Sequence, residues 1–200
     1  MDDRHRVFVS YYHDEDRDYR ELFEDLFTDI HDIMVSESVE IGEIVSNLPP
    51  ESIQQIIREG YLRDSTVTVV LVGARTWQRK FVDWEISASI RETKNSPRSG
   101  LLGILLPTYA GPTDDPNTYC IETIPPRLYD NIQCGFSEIF NWSDDPQDVQ
   151  SWIHDAFKWK TKIPPNNSRE LFKNNRSDER WRYLEDPAAF VRSLSSSDRE

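Results

Sequence analysis

The sequence predicts an α/β fold, an open parallel sheet of about five strands with helices on both faces. Short apolar runs alternate with amphipathic segments along the chain, which is the order that produces βαβ units. Residues 66–72 form a β-branched, nearly all-apolar run that is typical of a strand buried on both faces. Right-handed crossovers between such strands place the intervening helices on the sheet.

The first third of the chain predicts two strands and two helices. Residues 6–12 form the first strand, and Asp14 is the predicted N-cap of the next helix. The apolar stripe of that helix consists of Tyr19, Leu22, Phe23, Leu26, Phe27, Ile30 and Ile33. Residues 34–41 form a weaker strand, and Pro50 or Glu51 begins a helix that extends to about residue 62.

The middle of the chain continues the alternation and then changes character. A third helix is predicted over about residues 78–93, and a buried strand over residues 101–106. Residues 107–131 contain five prolines and few apolar side chains, so we expect the loop over residues 108–131 to be mobile or to order only with a partner. A last strand is predicted over residues 136–142, and Asp144-Asp145-Pro146 begins a last helix.

The domain organisation follows from the change in composition near residue 163. Residues 1–162 are predicted to form one domain, since their length suits a single hydrophobic core. Residues 163–200 are predicted to be a charged C-terminal extension with a short helix at 187–194 and a frayed end.

Composition excludes some classes of function. The net charge of −13 argues against sequence-independent nucleic-acid binding, which depends on Lys and Arg meeting phosphates. No apolar run approaches the ~20 residues that span a bilayer, so no membrane partner is expected. The two cysteines and a charged start without a secretory pattern favour the cytoplasm.

The candidate site residues lie where the first and third strands end. Ser10 and Tyr11 close the first strand, and Glu85 follows the third strand in the early turns of a helix. Ligands of open parallel sheets bind beyond the carboxyl ends of the strands. Each residue also has a plainer interpretation: Glu85 as a solvated charge, Tyr11 as a packing aromatic, and Arg75 as part of a solvated positive helix edge.

The segments Val-Phe-Val-Ser-Tyr-Tyr-His-Asp at 7–14 and Ser-Thr-Val-Thr-Val-Val-Leu-Val-Gly at 65–73, followed by a helix with aromatic residues before Glu85, resemble the Toll/interleukin-receptor (TIR) domain. The resemblance is strongest to the TIR-like proteins of bacterial Thoeris anti-phage systems. It implies a flavodoxin-like or TIR-like sheet. It also implies that Glu85 is the catalytic acid, that Ser10 and Tyr11 contact substrate, and that NAD is a substrate rather than a cofactor. Two further substrate-binding candidates come from position alone: Trp84, the aromatic residue before Glu85, and Arg75, which with Arg79 and Lys80 forms a basic cluster that could meet the NAD phosphates.

The resemblance also implies an activity and its partners. The expected reaction is NAD cleavage that yields a cyclic or conjugated ADP-ribose signal, as an NAD nucleosidase or ADP-ribosyl cyclase would make. A separate effector would sense that messenger. A phage-derived trigger and self-association on activation are the expected controls.

Two other classes of function stay open at this stage. The same fold can serve as a non-catalytic adaptor that acts through protein–protein assembly, because fold does not settle function. A response-regulator-like module would need clustered acids for a metal, and Asp14-Glu15-Asp16 is explained instead by capping at a helix start. The four scattered histidines give no metal pattern, so no metal site is predicted.

Overall fold

In the part of the chain that the structure describes, five parallel strands form a single open sheet. The computed structural model describes residues 5–27, 33–36, 48–93, 96–109 and 119–176. The strands are β1 (His5–Ser10), β2 (Ile33–Ser36), β3 (Val67–Val72), β4 (Gly100–Leu105) and β5 (Ser137–Asn141). Their order across the sheet is β2-β1-β3-β4-β5, and every neighbouring pair is parallel. The predicted fold class is confirmed.

Helices cover both faces of this sheet. They are α1 (Arg17–Asp25), α2 (Pro50–Gly60), α3 (Lys80–Ser89), α4 (Pro126–Gln133) and α5 (Pro146–Trp159). The apolar stripes of α1 and α5 pack together on one face, through residues such as Phe23 and Ile153. On the other face, α3 and α4 pack through residues such as Ile86 and Leu128, and α2 joins α3 beside Phe8.

The central strand β3 is buried along its whole length. Val67, Val69 and Leu71 belong to the core on the α1 and α5 face, whereas Val70 and Val72 belong to the core beside α3 and α4. This alternation is the pleat of a strand, whose successive side chains point to opposite faces. A continuous apolar run is therefore what a strand with helices on both sides requires.

The boundaries of several elements differ from the prediction. β1 ends at Ser10, so Tyr11 and Tyr12 belong to the following loop rather than to the strand. α1 begins at Arg17, and α3 begins at Lys80 after a 3₁₀ turn over Thr76–Gln78. β2 ends at Ser36, and the rest of the predicted second strand, residues 37–41, lies outside the described residues.

The prediction of a mobile, unstructured segment over residues 108–131 is wrong for its second half. A 3₁₀ turn at Ile121–Thr123 and helix α4 occupy that part, whereas residues 110–118 lie outside the described residues. Pro126 stands in the first turn of α4, where a missing N–H costs nothing. Prolines that suggested a loop thus begin a helix, and the apolar side of that helix completes the core.

Residues 164–176 form neither helix nor strand and lie over α3 and α4, and we call them the C-terminal strap. Leu171 packs against the apolar cluster between α2 and α3, and backbone groups of the strap bond to side chains of both covered helices. Residues 177–200, with the predicted helix at 187–194, lie outside the described residues. Among the helices that the structure describes, none is long and apolar enough to cross a bilayer.

Candidate functional site

Glu85 and Ser10 meet at the carboxyl edge of the sheet. Ser10 is the last residue of β1, and its hydroxyl Oγ donates to Glu85 Oε2 at 2.5 Å. Glu85 lies in the second turn of α3, the helix that follows β3, and β1 and β3 are neighbours in the sheet. Two residues 75 positions apart in sequence are therefore joined because their strands are adjacent.

Burial sets the electrostatics of this pair. Only 1% of the Glu85 surface is exposed, and Ser10 is fully buried. Loss of water around the carboxylate raises the pKa of Glu85 from 4.5 to about 8, and the hydrogen bond from Ser10 lowers it only in part. A hydroxyl offers a dipole where a cation would offer a full charge. The structure therefore holds a carboxyl group whose negative form is poorly compensated.

A second buried carboxyl group lies at the same edge of the sheet. Asp16 precedes α1, and its oxygens accept hydrogen bonds from Thr76 Oγ1 and Thr108 Oγ1, both at 3.3 Å. Gly73, which follows β3, leaves room for this side chain: a Cβ there would come within 2.3 Å of Asp16 Oδ1. Asp16 thus ties together the loops that follow β1, β3 and β4.

Asp16 was predicted to be part of an acidic helix start, and that interpretation is wrong for its side chain, which makes no capping hydrogen bond. Burial raises the pKa of Asp16 to about 6, against the lowering effect of the Thr108 and Thr76 hydrogen bonds. The signal that could have found it was Gly73 directly after a buried strand, since a glycine there permits close approach. Its partners are 60 and 92 residues away, beyond any local pattern.

Two of the predicted substrate-binding residues, Tyr11 and Trp84, lie away from the Ser10–Glu85 pair. Tyr11 is buried in the core on the α1 and α5 face and stacks on His13, with ring centroids 4.2 Å apart. Trp84 is buried in the cluster beside α2, and its indole N–H donates to the carbonyl of Phe172. Side chains of consecutive residues in a strand or helix point in different directions. Tyr11 and Trp84 therefore do not contact the Ser10–Glu85 pair, although each is next to one of its members in sequence.

The basic residues before α3 are engaged at the protein surface. Arg75 makes an ion pair with Glu15, with 2.8 Å between nitrogen and oxygen. The guanidinium of Arg79 lies 3.5 Å above the ring of Tyr12, a cation–π contact. Both arginines therefore connect the loop after β1 to the loop after β3, close to the edge that carries Ser10.

The Ser10–Glu85 pair has the composition of an electrostatic site. Within the ranges that the structure describes, no group of three or more His, Cys, Asp or Glu side chains is arranged to hold a metal ion. A buried carboxylate bonded to one hydroxyl can instead stabilise positive charge on a ligand, since a dry environment strengthens that attraction. Such a site favours a cationic or cation-forming ligand.

Comparison with known proteins supplies the family. A family model for the TIR-like domain of the Thoeris protein ThsB matches residues 8–110, just over half of the chain. A solved structure of the TIR domains in the activated Roq1 resistosome, which directly recognises the pathogen effector XopQ, is 13% identical. That match covers 96% of this chain and 98% of the other, with a TM-score of 0.34. No curated protein matches the chain. On the family match, the chain belongs to the TIR-like domain family of the Thoeris protein ThsB.

Proposed function

We propose that this protein cleaves NAD between ribose and nicotinamide, with Glu85 as the catalytic residue. The observation that carries the proposal is the buried Glu85 carboxyl group, held by Ser10 at 2.5 Å where the first and third strands end. Open parallel sheets bind their ligands at this edge. Membership in the TIR-like family supports the same assignment, because that superfamily includes enzymes that consume NAD.

The chemistry suits a single carboxylate. The bond that breaks joins ribose C1′ to a nicotinamide ring that is already cationic, so nicotinamide leaves as a neutral molecule and takes the bonding electrons. Positive charge then develops on the ribose, as in glycoside hydrolysis, but no acid is needed to protonate the leaving group. We assign Glu85 Oε1 to the ribose hydroxyls, while Oε2 keeps its bond to Ser10.

The raised pKa of Glu85 makes the site selective for a cation. With a pKa of about 8, the carboxyl group of the ligand-free protein is mostly protonated at neutral pH. A cationic nicotinamide nearby favours the ionised form, so substrate binding and loss of the proton reinforce each other. The charge that burial makes costly then becomes the charge that stabilises the transition state.

Membership in the TIR-like family also supports a proposal for the product and its use. We propose that the ADP-ribosyl group passes to an internal or added nucleophile, which gives a cyclic or conjugated ADP-ribose messenger for a separate effector.

The reaction takes place in the cytoplasm, where the two unpaired cysteines stay reduced. Self-association or a phage-derived trigger switches the activity on. A turnover rate per molecule that does not change with protein concentration or phage lysate would contradict that control.

A non-catalytic adaptor is the second candidate, and one observation favours it. Glu85 is almost wholly enclosed, Trp84 is packed in an apolar cluster, and Arg75 is ion-paired, so the described residues present a closed edge. An adaptor would need these side chains only for stability. It would act through surfaces elsewhere on the sheet and helices.

Nicotinamide release from NAD by the purified protein separates the two candidates. Glu85→Gln keeps the shape of the side chain and removes its charge, so we expect turnover to fall by about 10²-fold or more. The matched control is Glu92→Gln, because Glu92 lies just beyond the same helix in an exposed ion pair with Arg98. The control should retain activity. A folded Glu85→Gln protein with full NAD cleavage would overturn the proposal.

A further inference from the structure

From Val82 onward, helix α3 is enclosed on every side, and the C-terminal strap covers one of these sides. Every residue from Val82 to Ser89 is buried. Ile86 faces the core under the sheet, and Ala88 faces α2. The remaining stripe contacts the strap, at helical spacing, through Lys80, Asp83, Trp84 and Ser87. The helix that carries Glu85 is thus held by a segment that lies beyond the part of the chain matched by the family model.

Arg127 of α4 connects the strap to α3. Its side chain is fully buried, and its guanidinium donates to both carboxyl oxygens of Asp83, at 2.9 and 3.3 Å. The same guanidinium donates to the side-chain oxygen of Asn167 at 2.8 Å and to the backbone carbonyls of Arg169 and Glu170 at 2.9 and 3.3 Å. Three oxygens of the strap therefore share the Arg127 guanidinium with Asp83 of α3.

The strap also bonds to α3 directly. The N–H of Phe172 donates to Asp83 Oδ2 at 3.0 Å, and the Phe172 carbonyl accepts from the Trp84 indole at 2.8 Å. Asn167 accepts from the Ser87 hydroxyl and donates to the Ser87 carbonyl, at 2.9 and 3.0 Å. The residues in each of these hydrogen bonds lie 80 to 89 positions apart in sequence, so the bonds form only when the strap packs against α3.

The strap supplies the N-cap that α3 lacks. Arg79, at the N-cap position, makes no side-chain capping bond. Instead Asn175 Oδ1 accepts from the N–H of Lys80, the first residue of the helix, at 3.0 Å. The N–H of Arg176 donates to the Gln78 carbonyl at 2.8 Å, just before the helix. An asparagine oxygen is a favoured acceptor for unsatisfied N–H groups at a helix start.

We propose that the C-terminal strap positions Glu85, with Asn175 and Arg127 as positioning residues. The bond between Ser10 and Glu85 joins the sheet to α3, so its geometry depends on where the start of α3 sits. A displacement of about 1 Å is enough to cost an enzyme much of its rate. The part of this inference that concerns turnover rests on the proposed NAD cleavage, whereas the part that concerns the helix does not.

The test compares Asn175→Ala, which removes the acceptor, with Asn175→Asp, which keeps one. Asn174→Ala is the matched control, because Asn174 is the exposed neighbour of Asn175. Backbone amide exchange measured by mass spectrometry reports on residues 80–83 without reference to activity. We expect Asn175→Ala to speed exchange there about fivefold, the effect of losing a typical N-cap, while β3 stays unchanged.

The kinetic arm uses nicotinamide release at saturating and limiting NAD. Asn175→Ala should lower kcat about fivefold with little change in KM, and Asn175→Asp should restore both exchange and kcat. Unchanged exchange at residues 80–83 in Asn175→Ala would overturn the strap proposal, and so would faster exchange spread evenly over the protein. If the wild-type protein releases no nicotinamide, the proposed function fails, and the exchange arm decides the role of the strap.

Discussion

The buried carboxyl group of Glu85 should make the stability of the protein depend on pH. Its pKa in the folded state is raised from 4.5 to about 8 by burial. The folded protein therefore keeps this proton to a higher pH than the unfolded chain does. The stabilising contribution is complete below about pH 4.5 and is lost as the pH rises to about 8. Each pH unit in that window is worth about 1.4 kcal/mol, so the loss amounts to about 5 kcal/mol.

Glu85→Gln removes this titration. At low pH the carboxylic acid and the amide are both neutral and have the same shape, so the two proteins should differ in unfolding free energy by about 1 kcal/mol. As the pH increases, only the wild-type protein must hold a buried charge at position 85. The variant should therefore gain up to about 5 kcal/mol relative to wild type between about pH 5 and about pH 9.

Urea unfolding followed at a series of pH values measures this difference directly, because the midpoint and slope give the free energy of unfolding. Glu92→Gln is the matched control, since that exposed ion pair contributes about 1 kcal/mol at most. The unfolding free energy of Glu92→Gln should change with pH in the same way as that of the wild-type protein. If Glu85→Gln also runs parallel to wild type from about pH 5 to about pH 9, the carboxyl group is not buried as described and the reasoning fails.

Two further substitutions probe the residues around the site. Ser10→Ala removes the hydrogen bond that partly lowers the pKa of Glu85. The rise of kcat/KM for nicotinamide release should therefore move to higher pH. A pH profile identical to that of wild type would contradict this. Arg127→Met leaves the buried carboxylate of Asp83 unpaired and should cost about 3–5 kcal/mol in urea unfolding, with part of the loss recovered by adding Asp83→Leu. Equal stability of Arg127→Met and wild type would show that the pair is not structural.

The sequence by itself determined the elements whose cause is local. The β-branched run at residues 66–72 specified β3, because a strand buried on both faces needs apolar side chains on each. Asp145 before Pro146 specified the start of α5, and its side chain does accept the N–H of Gln147. The order of strand, loop and helix also placed Glu85 near the carboxyl edge of a parallel sheet.

Only the tertiary structure decided what depends on distant partners. Helix α4 was predicted to be loop, because its proline-rich approach is ambiguous and its buried Arg127 is balanced by Asp83, 44 residues away. The strap lies in the segment that was predicted only as a charged extension, because its asparagines show no apolar period and their partners lie far away in sequence. Asp16 was attributed to helix capping for the same reason. The periodic spacing of apolar residues predicts structure that depends on neighbours in sequence. A buried polar side chain, in contrast, is explained only by the hydrogen-bonding partner that folding brings into contact with it.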